Sequence, residues 1–171
     1  MTKRAPAPAV DGPDPLAALQ PRLAARLRAA MLPGDQPLGE DALAAAAAFV
    51  LATADRRAPG EPAIAIETVS GDGAGQRRFM RIAIVNDDMP FLVDSLASTV
   101  AARGIGIDRL VHPVLAVRRD ADQRLTDLPE GAAAAGERRE SMVYMEAERI
   151  DARGRKALAA ALVDTLGDVR A

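Results

Sequence analysis

The sequence has no cysteine and no tryptophan, and only one histidine, one tyrosine and three phenylalanines among its 171 residues. Without cysteine there is no disulfide, thiolate nucleophile, zinc finger or iron–sulfur cluster. The single histidine, His112, excludes a multi-histidine metal site and most Ser-His-Asp arrangements. Twenty-four acidic against 22 basic side chains give a net charge of −2, without the basic excess that a broad nucleic-acid surface needs. Four aromatic rings leave little on which to stack bases. No apolar run approaches the roughly 20 residues that span a bilayer, and the N-terminus lacks the apolar stretch of a signal peptide. The expectation is a soluble cytoplasmic chain with neither nucleic acid nor membrane as partner. Its length suits one domain, or one domain plus an appendage, and a compact chain of this size buries roughly 70% of its unfolded surface, enough for a core without staples.

What is present is alanine, in runs at 44–48 and 132–135, and arginine, which outnumbers lysine 20 to 2. Alanine-rich helices form readily but bury little area per residue, so their docking is weak. Residues 1–14 hold three prolines and no periodic apolar face, and read as a disordered arm. From 15 to 58 the pattern is a helical hairpin. Leu16, Leu19, Leu23, Leu27 and Met31 form one stripe of a helix ending near 32, before Pro33-Gly34. Leu43, Ala46, Ala47, Val50 and Leu51 form the stripe of a second helix running to about 57.

After Pro62 the period changes from 3.6 to 2. Residues 63–69 and 79–86 read as two strands of a hairpin joined by a Gly-rich turn at 70–75, which lacks the residues of a P-loop or a dinucleotide fingerprint. A helix follows, with Asp88 as its cap, Pro90 in its first turn, Leu92, Val93, Leu96, Ala97 and Val100 buried, and Gly104 as its stop. Residues 105–119 read as one long strand with Ile105, Ile107, Val111, Leu115 and Val117 on one face. Pro113 within it implies an edge position or a bulge. Residues 120–140 read as a mobile loop. Residues 141–148 read as a strand with Val143, Met145 and Ala147 inward and Tyr144, Glu146 and Glu148 outward. Asp151 caps a last helix carrying Leu158, Leu162 and Leu166. The fold class is α+β: a helical hairpin, then over 62–171 a ferredoxin-like βαββα module of mostly antiparallel sheet with an extra N-terminal strand and no clear last one.

Chemistry-bearing residues concentrate at the second strand-to-helix junction. The adjacent carboxylates Asp87 and Asp88, beside Asn86, suit a divalent cation or simply a helix cap. Asp94 and Ser95 lie in the first helical turn, where free N–H groups suit an anion and Asp94 itself complements the helix dipole. His112 is a structural histidine or a ligand and pH-sensing group. The arginine pairs at 77/78, 118/119 and 138/139 read as solvated faces.

The word formed by Asp87, Asp88, Met89, Pro90, Phe91, Leu92, Val93, Asp94 and Ser95, followed by His112-Pro113-Val114 and Arg118-Arg119-Asp120, resembles the N-terminal region of the large bacterial NAD-specific glutamate dehydrogenases. The resemblance covers roughly residues 60–166 and implies a fragment of a much longer chain, with an ACT-type fold. It implies a non-catalytic regulatory or assembly role, with no catalytic, cofactor or metal residue in this segment and NAD used elsewhere in the parent. It also implies other domains of the same chain as partners, a homo-oligomeric parent and an amino acid as possible effector. Amino-acid-binding ACT modules usually carry glycine after the proline of this turn, giving a ligand room against the backbone. Here Phe91 stands there, and its ring would fill that space. Two competing readings are a stand-alone ferredoxin-like enzyme or amino-acid-binding module using the Asn86–Asp88 turn, and a nucleic-acid-binding sheet, for which the outward face offers one aromatic and two repelling carboxylates.

Overall fold

A computed structural model of the chain describes residues 14–70, 78–131 and 137–171. The expected disordered arm lies outside the described residues except for its last position. So do the Gly-rich turn, apart from Ser70, and the alanine run at 132–135.

A 3₁₀ turn (Ala17–Leu19) leads into α1 (Gln20–Ala29), with Pro21 in the first turn, where its missing N–H leaves no helical bond unmade. The helix stops before the expected residue 32, because the position ahead of Pro33 is biased away from helical backbone. Helix α2 (Glu40–Ala54) places Glu40 and Asp41 at its N-terminus, where the dipole favours them. It too stops early. The next residues are drawn into the sheet, with Arg56 bridging Arg124 and the carbonyl of Asp55 accepting from the Leu125 N–H at 2.8 Å.

Strands β1 (Ala63–Val69) and β2 (Phe79–Asp87) pair antiparallel in unbroken register, and helix α3 (Leu92–Ala102) follows, stopped by Gly104 at φ +73°. The expected single strand over 105–119 is two, β3 (Ile107–Val111) and β4 (Val114–Arg119), parted at His112-Pro113 because proline cannot donate to the ladder. Both pair with β6 (Arg138–Ala147). A register shift between Ile107 and Arg109 breaks the expected common face: Ile107 and Leu110 pack on one side of the sheet, Val111, Leu115 and Val117 on the other. The region read as a loop contains a short strand, β5 (Leu125–Asp127), because Leu125 and Leu128 bury under the hairpin. Helix α4 (Ala152–Arg170) is capped as expected, with the Asp151 carboxylate accepting from the Gly154 N–H at 2.6 Å.

The sheet order is β1-β2-β6-β4-β5, with β3 on the far end of β6. The fold is thus α+β, with N-terminal helices and a ferredoxin-type module. The extra strand resolves the missing one. In a βαββαβ module the closing strand lies antiparallel beside the first, and β1 takes that edge beside β2. The sheet is covered on both faces. On β2, Ala83 and Val85 meet α1 and α2, while Met80, Ile82 and Ile84 meet α3 and α4. This second cover corrects the reading of β6. Tyr144 is not outward but only 2% exposed, in the core beneath α2, and its hydroxyl donates to Glu146 at 2.7 Å. Among the described residues no helix is long and apolar enough to cross a membrane.

Candidate functional site

The end of β2 divides the expected site residues into two groups. Asn86 and Asp87 are turned to structural work. Asn86 is fully buried, its amide donating to the Asp87 carbonyl at 3.1 Å and its side-chain oxygen accepting from Arg170 at 2.9 Å. Asp87 accepts from Arg57 Nη2 at 2.6 Å on one oxygen and from the Gly60 N–H at 3.0 Å on the other. Partial burial pulls its pKa upward. The hydrogen bonds from Arg57 and Gly60, with the charges of Arg57 and Arg138, outweigh that, and it lies below the ordinary aspartate value. A carboxylate so held is a poor proton donor, and its charge is already met by Arg57.

Asp87 belongs to an ion cluster that sequence reasoning missed. Arg57, just beyond α2, donates from Nε to Glu140 at 2.5 Å, and both side chains are fully buried. Arg119 also donates to Glu140, at 3.1 Å to each oxygen, and to the Gln123 carbonyl at 2.8 Å. Arg138 stands 3.8 Å from both carboxylates. Three guanidinium groups therefore enclose two carboxylates. Arg119 and Arg138 depart from the expected solvated faces because strand neighbours point to opposite sides, so one arginine of each pair turns inward while Arg118 and Arg139 stay in water. The cluster ties the end of the alanine-rich hairpin to β2, β4 and β6, adding hold where small side chains bury little area. That alternation, read with Glu140 on the same strand, was the available signal.

The remaining candidates converge on the turn before α3. Asp88, Pro90 and Asp94 are exposed, and Met89 and Ser95 are half-buried. Asp88 does not cap the helix, and Pro90 precedes it. Its N-cap is Phe91, in left-handed backbone (φ 63°, ψ 6°) without a capping side chain. The first helical bond runs from the Ser95 N–H to the Phe91 carbonyl at 3.1 Å, so the N–H groups of Leu92, Val93 and Asp94 precede it. Left-handed backbone is uncommon and costly for an aromatic residue, and Phe91 is 79% exposed. It borders a cavity of about 300 Å³ together with Asp88, Met89, Asp94, His112 and Val114. His112, between β3 and β4, is thus brought to the turn by the fold. No arginine or lysine lines this cavity. A zwitterionic amino acid would find carboxylates for its ammonium group but no side-chain cation for its carboxylate.

Among the described residues no group of three or more His, Cys, Asp or Glu could hold a metal ion. The turn also does not fit a dinucleotide. A pyrophosphate at a helix start wants glycines and open N–H groups, and here Phe91 and the carboxylates Asp88 and Asp94 stand in that place.

Comparison with known proteins agrees with the fold. A family model described as the glutamate dehydrogenase ACT1 domain matches residues 27–162, so the match includes α2 as well as the sheet. The chain is 37% identical over 91 residues to the NAD-specific glutamate dehydrogenase of Pseudomonas aeruginosa, covering 52% of this chain and 6% of that protein. It is 41% identical over 70 residues to the enzyme of the same name from Halomonas elongata, covering 40% of this chain and 4% of that one. The chain therefore spans a small part of the relatives it matches. No solved structure matches it.

Proposed function

The chain belongs to the glutamate dehydrogenase ACT1 domain family, and from that premise we propose that it serves as a non-catalytic regulatory and assembly domain of an NAD-specific glutamate dehydrogenase. In this reading the parent polypeptide is far longer and works in the cytoplasm. It deaminates glutamate oxidatively to 2-oxoglutarate and ammonia with NAD, using residues outside this chain. The domain docks against other domains of the same polypeptide, and the parent assembles from several copies.

The observation that carries the docking role is Phe91. A phenylalanine held in left-handed backbone with most of its ring in water gains almost nothing from its own domain. Such a ring is what an interface uses, since buried aromatics often dominate binding energy. The test is hydrogen exchange on the full-length enzyme. The amides of residues 91–94, which precede the first helical bond, should be protected in the wild type and exchange faster in Phe91→Ala. A turn that exchanges without protection in the wild-type enzyme would refute the anchor.

A further inference from the structure

The cavity beside Phe91 has a chemistry that narrows its partner. Two of its walls are the exposed carboxylates Asp88 and Asp94, and neither makes an ion pair among the described residues. A third wall is the Phe91 ring, whose face attracts cations. The floor is apolar, from Leu92 and Val114. No arginine or lysine lines the cavity, so an anionic ligand would meet the two carboxylates with only the His112 ring and the Ser141 hydroxyl as side-chain donors against them. A volume of about 300 Å³ lies at the small end of ligand pockets and suits a single long side chain.

The geometry points to an arginine side chain, presented by a protein segment docked on this face, as the occupant of the cavity. This inference rests on the docking role of Phe91 and adds the chemistry of its partner. Arginine is favoured over lysine because its planar guanidinium can stack on the ring while its fork of donors reaches a carboxylate. The same pairing already occurs inside the domain, where the Arg81 guanidinium lies 4.5 Å from the Phe49 ring centroid and also pairs with Glu67. The neutral stem would lie along the apolar floor. An approaching basic segment is attracted by complementary charge, and acidic segments are turned away.

Two measurements test this. In the first, the 15N-labelled chain is titrated with acetyl-Gly-Arg-Gly-amide at millimolar concentration, with the Lys and Glu peptides in parallel. The arginine peptide should shift the amides of Asp88, Met89, Phe91, Leu92, Val93, Asp94 and His112 saturably. The lysine peptide should bind several-fold more weakly, and the glutamate peptide not at all. Absence of saturable shifts with arginine, or equal binding of the glutamate peptide, overturns the inference. In the second, hydrogen exchange is followed on full-length enzyme carrying Asp88→Asn and Asp94→Asn together. Both residues are exposed, so the fold tolerates the change. Protection of the turn should fall as it does in Phe91→Ala, and added salt should reduce it in the wild type. If Phe91→Ala loses protection while the double variant keeps it, the anchor stands and the arginine partner is refuted.

Discussion

Replacing Phe91 with glycine should make the domain more stable, although it removes the largest side chain of the turn. Phe91 holds φ at 63°, and left-handed backbone costs an L-residue about 1–2 kcal/mol. Phenylalanine has no short polar side chain with which to offset that locally. Its ring is 79% exposed and contributes little burial in return. Glycine adopts this backbone freely but widens the unfolded ensemble, at a cost of about 0.5–1 kcal/mol. The balance is a gain of about 0.5–1 kcal/mol, which for a chain of this size raises the melting temperature by roughly 1–4 °C. Phe91→Ala separates backbone from ring, because it deletes the ring and keeps the strain. It should change stability by no more than about 0.5 kcal/mol. The assay is urea and thermal unfolding of the three proteins by circular dichroism, with equal denaturant slopes as the check that the unfolding reaction is the same. If the glycine variant is no more stable than the alanine variant, the turn is not strained, and the claim that Phe91 is kept for what it touches outside the domain loses its basis.

Two further outcomes follow from the buried polar groups. Arg57→Met should destabilise by about 3 kcal/mol, the low end for breaking a buried pair, because Arg119 still faces Glu140. Its effect should be non-additive with Asp87→Asn in a double-mutant cycle by urea denaturation, and strict additivity would refute the shared cluster. Tyr144, the only tyrosine, is pushed far above its ordinary phenol value by burial first, and then by its hydrogen bond to Glu146 and the charge of that carboxylate. The native state therefore keeps the proton longer than the unfolded chain. The stability linked to it is complete below the ordinary phenol value and is lost as pH rises toward the raised one. Phenolate absorbance should appear only together with alkaline unfolding, and a native-state titration near pH 10 would place Tyr144 at the surface.

The sequence alone determined what depends on near neighbours along the chain. Leucines at three- and four-residue steps set α1 and α4, because side chains at that spacing share one face of a helix. The alternation of Ile82 and Ile84 with Ala83 and Val85 set β2, and the unusual word from Asp87 to Ser95 marked the family. The fold decided the rest, because it depends on residues remote in sequence. Period-2 alternation says that Val143 and Tyr144 face opposite ways. Only the hairpin packed on the second face made both of them buried. The ion cluster was likewise illegible as a unit. Arg57 meets Asp87 from 30 positions away and Glu140 from 83, and no local pattern encodes such a meeting. At the turn, the sequence marked Phe91 as the departure from glycine. The handed backbone that makes its exposure costly exists only because β2 and α3 are each held in place by their own core, leaving the residue between them to absorb the change of direction.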